Sequence, residues 1–461
     1  MRRDVPGTRR FGLARLRDAV DEAARSSPAR LALTVFAAVI MLVTALLTLP
    51  FATETGEPAP LADALFVATS AVCVTGLVTV NIPEFFSPFG EAVLLVAMQV
   101  GGLGVLTLAS ILGMAVSRRL ELRTRLIAAS ETKALRLGEV GSLLRTIVLV
   151  VLSLEGVLFV VLTARFLTLG DSVGTAVWNG AFYAVSSFNN VGFILHPDGL
   201  EPFVGDAWFS LTIASAVFVG SLGFPVIFVL LRSLRPSTWD LHTKLTTGAT
   251  SLLLVVAVVT IGAMEWRNPQ TLGALPLGDR LLAALFAGVM PRSGGFSTVD
   301  VGAMNHETWL VTDALMFVGG GSASTAGGIR VTTMAVLFLA VVAEARGDSD
   351  VEFMRRRIPA ASIRIAVTVV LVGATVVLVA TLALMSMTGY SLDRSLFEVL
   401  SAFATCGLST GITADLPESA KYLLSATMFV GRTGTMTLAA ALALRERRRM
   451  FRLPEERPII G

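Results

Sequence analysis

The sequence predicts an all-α integral membrane protein of four tandem helix–pore loop–helix repeats, with eight spanning helices around one pseudo-fourfold pore. Three observations predict this fold class: a low charge content, eight long apolar segments, and a glycine-bearing pattern that occurs four times. Of the 461 residues, 54% are hydrophobic and 15% are charged, and the mean hydropathy is +0.74. Soluble domains carry about 25% charged residues, so the composition excludes an ordinary soluble protein.

The apolar segments fall into two length classes. Stretches of about 20 residues are typical of spanning helices. Eight of them occur, at 31–50, 91–117, 143–167, 206–231, 246–265, 308–343, 361–387 and 419–444. Within each successive pair lies a shorter apolar piece, too short to span and therefore predicted to be re-entrant. These pieces lie near 62–73, 175–188, 280–291 and 394–404.

The distribution of basic residues predicts the orientation of the chain. No Lys or Arg occurs from Phe51 to Ser117 or from Phe166 to Leu231. Basic residues are instead concentrated at 1–30, 118–136, 232–244, 346–357 and 445–449. Cytoplasmic loops carry an excess of Lys and Arg. We therefore expect a multi-pass membrane protein with both termini in the cytoplasm and the short pieces entering from outside.

The four short pieces share a pattern centred on a glycine. They read FVATSAVCVTGL, FYAVSSFNNVGF, LFAGVMPRSGGF and FEVLSAFATCGL, and their central glycines are separated by 116, 103 and 112 residues. This spacing predicts repeats at 31–117, 118–232, 233–345 and 346–446, between a basic N-terminal segment 1–30 and a tail 447–461. The candidate filter residues are Cys73, Val74, Thr75, Gly76, Asn189, Asn190, Val191, Gly192, Ser293, Gly294, Gly295, Thr405, Cys406 and Gly407.

The chemistry of such loops favours a cation. Non-helical backbone at membrane depth is tolerated only inside protein or along a wet cavity. Four loops around one axis can turn carbonyl oxygens inward and replace the water shell of a cation. Glycine supplies the positive φ values that this arrangement requires, and the C-terminal end of each preceding helix adds partial negative charge. We expect a cation path with no covalent chemistry.

Two other function classes fit less well. Secondary transporters with alternating access are often built from inverted repeats, whereas these four repeats share one orientation. An intramembrane enzyme would need paired carboxylates, a His/Glu metal set or a nucleophile–base pair, which we do not find in the spans. Three His and two Cys provide no metal-binding cluster, and the basic loops follow from topology rather than from nucleic-acid binding.

The run GGGSASTAGG at 319–328 interrupts a long apolar segment. A phosphate-binding loop is disfavoured because the GK[S/T] ending is absent, and a flexible kink remains an alternative. We favour a small mobile loop that obstructs the pore. Arg432 lies inside the last apolar segment, where a buried Arg is functional by default. The candidate gate residues are Gly319, Gly320, Gly321, Ser322, Ser324, Thr325, Gly327, Gly328 and Arg432, the last expected to bond carbonyls of this loop rather than snorkel to a helix end.

Further residues are candidates for supporting the filter. Arg292 is expected to pair with a pore-helix acid, Glu398, and to brace the filter from behind. The alternative is two separately solvated groups at the outer mouth. The two cysteines are expected to be buried packing residues rather than redox groups. The Asn189-Asn190 pair is expected to hold its loop by hydrogen bonds, with a simple helix end as the alternative.

These residues carry a resemblance that covers the chain from about residue 31. The sequence resembles the Ktr/Trk/HKT superfamily of potassium transporters, and most closely the KtrB-type membrane subunits. The shared stretches are the four loop segments, QVGGLG at 99–104, SSFNNVGF at 186–193, SGGFSTVD at 293–300, GGGSASTAGGI at 319–329 and GRTGTMTL at 431–438. The length and the predicted helix count favour the KtrB type over the Trk type.

The resemblance implies potassium translocation through a four-loop selectivity filter and an intramembrane gating loop at 319–328. It also implies a location in the bacterial inner membrane, a homodimer with one pore per subunit and a cytoplasmic ring of KtrA/TrkA-like nucleotide-binding regulatory subunits. Glycine at position 76, where the family links Ser to sodium preference, favours potassium. The third and fourth segments, Ser293-Gly294-Gly295 and Thr405-Cys406-Gly407, depart from the usual pattern. A sodium or weakly selective cation transporter of the same fold is the alternative.

Overall fold

The computed structural model describes residues 28–125 and 138–434. The expected N-terminal segment at 1–30 lies almost wholly outside these ranges, as do the tail at 447–461 and the basic residues at 445–449. Within them the chain is mostly helical, as predicted. The helices are α1 Pro28–Leu47, α2 Leu61–Cys73, α3 Ile82–Phe85, α4 Pro88–Arg125, α5 Gly138–Leu169, α6 Val173–Phe188, α7 Ala207–Leu222, α8 Phe224–Arg232, α9 Leu241–Glu265, α10 Leu277–Val289, α11 His306–Phe317, α12 Val331–Arg346, α13 Ala360–Thr388, α14 Leu392–Ala404 and α15 Glu418–Phe429.

The four short apolar pieces form the helices α2, α6, α10 and α14. A proline precedes α2 and another precedes α10. Ser172 precedes α6, and the Ser172 side chain accepts a hydrogen bond from the Thr175 amide, as is typical of a helix N-cap. The ends of α2 and α14 are set by left-handed residues, Val74 and Thr405. With 13 to 16 residues, the four helices are shorter than the roughly 20 residues that span a bilayer.

The four short helices are packed in a cyclic order. Helix α6 lies between α5 and α7 and also contacts α4, and α10 packs on α9 and on α7. Helix α14 contacts α13, α15 and α11, and α2 contacts α1, α4 and α15. Each short helix thus touches the helix that closes the preceding unit, and the contact between α2 and α15 joins the last unit to the first.

Three described helices are long and apolar enough to cross a membrane, at Leu144–Leu169, Leu241–Glu265 and Ala360–Thr388. The expected span at 206–231 is not one straight helix: α7 and α8 meet at Gly223 with a bend of 105°. Gly223 has a φ of +91°, and its neighbour Phe224 donates its amide to the Ala323 carbonyl at 3.1 Å. A tertiary contact therefore breaks this helix. The count of eight spans and the repeat boundaries stay predictions.

The last two expected spans also differ in detail from long uninterrupted helices. The segment 308–343 is divided into α11, the loop 318–330 and α12, as its glycines predicted. Helix α15 continues into a π-helical turn at Val430–Gly434, where the described chain ends. The short strands β1 Glu352–Phe353 and β2 Arg356–Arg357 form an antiparallel hairpin between α12 and α13.

Buried aromatic residues link the short helices to one core. Phe66, Phe182 and Phe397 are fully buried at matching positions of three units. In the third unit the aligned residue Leu285 is only half-buried, and Phe286 is buried instead. Helix α10 continues into a 3-10 turn at Met290–Arg292, and this extra turn accompanies the shift of the buried position by one residue.

Candidate functional site

The four central glycines meet at one place, which we call the glycine ring (Gly76, Gly192, Gly295 and Gly407). A side-chain carbon added at Gly407 would lie 2.9 Å from the Gly295 Cα and 3.1 Å from the Gly76 Cα. One added at Gly192 would lie 2.7 Å from the Gly295 Cα. The structure therefore brings together segments that are more than 100 residues apart in the chain.

Carbonyl oxygens of the preceding residues surround the ring. An added carbon at Gly76 would lie 2.0 Å from the Val191 oxygen, and one at Gly407 would lie 2.4 Å from the Thr75 oxygen. An added carbon at Gly192 would lie 2.8 Å from the Gly294 oxygen, and one at Gly295 would lie 2.9 Å from the Cys406 oxygen. Each glycine faces the carbonyl that precedes the glycine of the next unit. The arrangement is cyclic and contains four carbonyls.

The four segments also share one unusual backbone conformation. The ring glycines have φ values of +99°, +92°, +72° and +95° in chain order. The residue two positions earlier is left-handed in every segment, with φ of 59° at Val74, 61° at Asn190, 79° at Ser293 and 47° at Thr405. Left-handed conformations are rare for residues with a Cβ and persist where the surrounding structure enforces them.

Serines at the ends of the short helices, absent from our candidate set, hold three of the segments. The amides of Thr75, Val191 and Cys406 donate to the carbonyls of Ser70, Ser186 and Ser401, each at 2.8 Å. The Ser70 and Ser401 hydroxyls accept from the Gly76 and Gly407 amides at 3.0 Å, and the Ser186 hydroxyl donates to the Phe193 carbonyl at 3.1 Å. Their shared position six residues before the ring glycine is a signal available in the sequence.

The third segment is held differently because Val289 occupies the serine position. Here the Gly294 amide donates to the Met290 carbonyl at 2.9 Å. The Ser293 hydroxyl donates to the Thr405 carbonyl of the fourth segment at 2.7 Å. The third and fourth segments, which depart most from the family pattern, are therefore linked directly to one another.

A cavity of about 210 Å³ opens above the ring, on the side that follows the glycines in the chain. Gly295 and Gly407 lie in its lining, together with the carboxylates of Asp198, Glu201 and Asp300. A cleft lined by one sign of charge concentrates ions of the opposite sign. This cavity is therefore suited to collect cations at the entrance to the ring.

The 318–330 loop lies on the opposite side of the ring, against the ends of the short helices. A carbon added at Gly327 would lie 2.0 Å from the Thr405 Oγ1 and 2.9 Å from the Ala404 oxygen. The Thr325 hydroxyl donates to the Gly220 carbonyl at 3.1 Å, and the Gly321 amide donates to the Ser221 carbonyl at 2.7 Å. The small residues of this loop allow it to pack directly against backbone.

Arg432 contacts this loop as expected. Its side chain is fully buried, and Nη1 donates to the Thr325 carbonyl. The guanidinium thus ends on a loop carbonyl and does not reach a membrane interface. Gly431, beside it, is packed on the fourth short helix, because an added carbon there would lie 1.8 Å from the Phe403 oxygen.

A second buried arginine, Arg330, was not among the sequence candidates. Its Nη1 donates to the Ala326 carbonyl, to the Ser324 hydroxyl at 3.2 Å and to the Gly321 carbonyl at 3.3 Å. These acceptors all lie within the 318–330 loop, so Arg330 fastens the loop onto itself. The sequence signal that could have identified Arg330 is its position as a basic residue within the apolar run 308–343.

The expected ion pair between Arg292 and Glu398 is not formed. Both side chains are buried, which also removes the alternative of two solvated groups. Arg292 Nη1 donates to the Thr250 carbonyl in α9 at 2.6 Å. Glu398 accepts from the Ser409 hydroxyl, from the Thr410 amide at 3.0 Å and from the Thr413 hydroxyl at 2.9 Å. The carboxylate is thus fully occupied by the loop that follows Gly407.

The Asn pair divides into two different environments. Asn189 Nδ2 donates to Glu155 at 2.8 Å, to the Val185 carbonyl at 3.0 Å and to Gln99 at 3.3 Å. Asn190 is buried, and the Oδ1 and Nδ2 atoms of its side chain have no hydrogen-bond partner among the described residues. The hydroxyls of Thr75 and Thr405 are likewise buried without one. Polar atoms of this kind are usually satisfied by water or ions.

The cysteines and the acidic residues offer no resident metal site in the described part of the chain. Cys73 and Cys406 are both buried and unbridged. The Cys406 thiol is 3.5 Å from the Met290 carbonyl and packs in the core beside the third segment. Across residues 28–125 and 138–434, no three His, Cys, Asp or Glu side chains are grouped closely enough to hold a metal.

Comparison with known proteins places this arrangement in a family. The family described as "TrkH: Cation transport protein" matches residues 21–452. The chain is 35% identical to the Ktr system potassium uptake protein B of Bacillus subtilis over 431 residues, covering 93% of this chain and 96% of the relative. It is 36% identical to the protein of the same name from Vibrio alginolyticus over 448 residues, covering 96% and 97%.

Two further relatives extend the comparison. The potassium/sodium uptake protein NtpJ of Enterococcus hirae is 31% identical over 446 residues, covering 95% of this chain and 98% of the relative. The crystal structure of the potassium transporter TrkH from Vibrio parahaemolyticus has the same fold, with a TM-score of 0.67 and 18% identity, covering 87% of this chain and 83% of that one. The chain belongs to the TrkH family of cation transport proteins, whose members are ion transporters and not enzymes.

Proposed function

We propose that this protein translocates potassium across the cell membrane through the glycine ring. One observation carries the proposal: the four carbonyls of Thr75, Val191, Gly294 and Cys406 face the ring glycines in cyclic order. Carbonyl oxygens in such a ring can replace the hydration shell of a potassium ion. The acidic outer cavity and the unpartnered polar atoms of Asn190, Thr75 and Thr405 supply hydrated surroundings above and below it.

The choice of ion follows from the relatives and from the glycines. Two relatives above 30% identity are named as potassium uptake proteins, and all four ring positions here are Gly. A sodium-permeable or weakly selective pathway is the second candidate. It is favoured by the relative named as a potassium/sodium uptake protein and by the sequence differences among the four segments.

The 318–330 loop is proposed as the gate. The loop packs against the C-terminal end of α14, on the side of the glycine ring opposite the acidic cavity. There it would obstruct an ion leaving the ring. Two buried arginines hold it, Arg432 from outside and Arg330 from within. Displacement of the loop would require breaking these hydrogen bonds, those to the Gly220 and Ser221 carbonyls, and the close contacts of its glycines with the helix ends.

The proposed assembly is a homodimer with a cytoplasmic nucleotide-binding subunit as the regulator. The separate regulator is supported by two relatives named as protein B of a Ktr system, a name that describes one component of several. Any nucleotide that controls the pore would then bind a separate chain.

Flux into liposomes tests the proposed transport. Purified protein is reconstituted, and rubidium or potassium uptake is compared with sodium uptake under equal gradients. We expect rubidium and potassium to exceed sodium, and expression to restore growth of a potassium-uptake-deficient bacterium in low potassium. Equal sodium flux would support the second candidate. No cation flux and no rescue, with the protein in the membrane and a regulatory subunit supplied, would contradict both.

A further inference from the structure

A cleft of about 660 Å³ lies behind the 318–330 loop, on the side where the basic loops are found. It is bounded by the start of α9, by α12, by the β1–β2 hairpin and by the start of α13. The lining residues on which the argument depends are Trp239, Asp240, Lys244, Thr332, Arg356 and Arg357.

The lining is rich in groups that attract an anion. Lys244, Arg356 and Arg357 contribute three positive charges. Two negative charges offset part of this: Asp350 pairs with Arg357 at 2.7 Å, and Asp240, the N-cap of α9, lies in the lining and accepts from the Thr243 amide at 2.9 Å. Lys244 and Arg356 have no ion-pair partner among the described residues, and α13 begins here without a side-chain cap, so its N-terminal amides add partial positive charge.

The position of the cleft relative to the bilayer suggests the source of the anion. Helices α9 and α13 are both long and apolar enough to span, and both start at its edge. Trp239, an aromatic residue of the type enriched at membrane interfaces, also lies in the lining. A cleft at this level faces phospholipid headgroups, and basic pockets between helices on the cytoplasmic side bind such groups.

The same cleft is connected to the loop by direct contacts. Thr332, in its wall, shares a 2.8 Å hydrogen bond with Ser322 of the loop. The Val331 amide, one residue earlier, donates to the Gly320 carbonyl at 3.0 Å. Thr246 follows Leu245 of the lining in the chain. Its Cγ2 would lie 2.8 Å from a carbon added at Gly321 of the loop. Movement of α12 against α9 would therefore move the loop.

We propose that this cleft binds a phosphate-bearing anion and that its occupancy biases the 318–330 loop. The bound phosphate interacts with Lys244 and Arg356 and holds the hairpin against α9 and α12. Two sources share this chemistry, an anionic phospholipid headgroup and a soluble phosphoester. The binding step stands independently of the proposed transport, whereas the bias on the loop rests on its proposed role as the gate.

Binding is tested on the full protein in nanodiscs that contain phosphatidylcholine with or without phosphatidylglycerol. Retained lipid is measured by native mass spectrometry, and competition by inorganic phosphate and by ATP is measured on the same sample. The variant Lys244→Gln/Arg356→Gln removes two charges of the lining. The matched control Arg346→Gln/Arg364→Gln removes two exposed charges outside it.

We expect the lining variant to bind phosphatidylglycerol about 25-fold more weakly, because each basic residue near an anionic surface contributes roughly fivefold in affinity. The control should bind as the parent protein does. Protection by phosphate or ATP, without retained lipid, would identify the soluble source of the same chemistry. Equal losses in both variants, or no phosphate-bearing ligand bound by the parent protein, would overturn the site.

Coupling to the loop is tested with Ser322→Ala, which removes the hydrogen bond to Thr332 from the loop side and leaves the lining of the cleft intact. We expect phosphatidylglycerol to change rubidium flux severalfold in the parent protein and not in this variant, while lipid binding is kept. An unchanged lipid effect in Ser322→Ala would overturn the coupling. If no variant carries flux at all, the binding measurement still decides the site, so failure of the proposed transport is distinguishable.

Discussion

At the scale of single residues, Gly76 combines two demands that no other amino acid meets. Its φ is +99°, and an added carbon would lie 2.0 Å from the Val191 carbonyl oxygen. A side chain there must displace a carbonyl of the neighbouring unit. At Gly295 the nearest atoms are 2.8 Å away, so the same change has more room.

We therefore predict that Gly76→Ser lowers the potassium-over-sodium flux ratio about tenfold, which corresponds to about 1.4 kcal/mol of discrimination. Gly295→Ser should have a smaller effect. Gly170→Ser is the matched control, because Gly170 has a φ of +100° and no neighbour within 4 Å. Flux ratios in liposomes and thermal unfolding in detergent are the measurements. An equal loss in the Gly170 variant would attribute the effect to backbone strain alone.

Glu398 is a second residue whose contacts lead to a prediction. Its carboxylate accepts from Ser409, Thr410 and Thr413, all in the loop that follows Gly407. In Glu398→Gln one oxygen becomes an NH2 group, which cannot accept from those donors. We expect a loss of about 1–3 kcal/mol in unfolding free energy, with little change in Glu418→Gln, an exposed control in the first turn of α15.

The Arg292–Glu398 pair also has an expected outcome. The two side chains share no hydrogen-bond partner, since Arg292 contacts α9 and Glu398 contacts the loop after the fourth segment. Arg292→Glu combined with Glu398→Arg should therefore not rescue either single variant in unfolding or flux measurements. Restoration of both by the charge swap would show that the two groups interact after all.

At the scale of elements, the 318–330 loop is held by two buried arginines and by close packing of its glycines on neighbouring atoms. Arg432→Ala removes the donor to the Thr325 carbonyl, and we predict a severalfold higher flux in the absence of a regulatory subunit, with an unchanged ion preference. Arg432→Lys should give an intermediate flux, and Arg346→Ala, in the exposed last turn of α12, should match the parent protein. Unchanged flux in Arg432→Ala, with normal membrane levels, would remove its gate role.

The elements differ in how far the sequence predicts them. The short helices were expected at 62–73 and 394–404 and occur at Leu61–Cys73 and Leu392–Ala404, because their limits are set by nearby residues. The break at Gly223 was not expected. Pro225 and Gly223 allow it, but the Ala323 carbonyl that receives the Phe224 amide is about 100 residues away in the chain. Contacts of this kind are not visible in local periodicity.

The same distinction applies to the candidate site. The glycine positions were predictable because they recur in four copies, and the structure brings them together. Arg330 is a single charge in an apolar run, and its acceptors are backbone carbonyls that carry no sequence signature. The partners of Arg292 and Glu398 were predicted from opposite charge alone. Such reasoning fails when each group is satisfied by backbone and hydroxyl groups nearby.

At the scale of the whole molecule, the ring of units must close between its last and first members. Helix α15 packs on α2 at this seam. Lys421 of α15 donates to Asp63 in the first turn of α2 at 2.6 Å, and Thr79 donates to the same oxygen at 2.6 Å. Both ionic side chains are largely but not fully buried, at 12% and 13% exposure. This ion pair joins the fourth unit to the first.

We predict that Lys421→Met lowers the unfolding free energy by about 1–3 kcal/mol, because it leaves the part-buried Asp63 carboxylate with only the Thr79 hydroxyl as its donor. The double variant with Asp63→Asn should lose less than the sum of the two single variants. Arg357→Gln, which breaks the exposed pair with Asp350, is the control and should cost about 0.2–1 kcal/mol. Denaturant unfolding of the solubilised protein supplies the values, together with rubidium flux. Strict additivity of Lys421 and Asp63 would show that the seam is held by apolar packing, since an interacting pair must give a coupling energy.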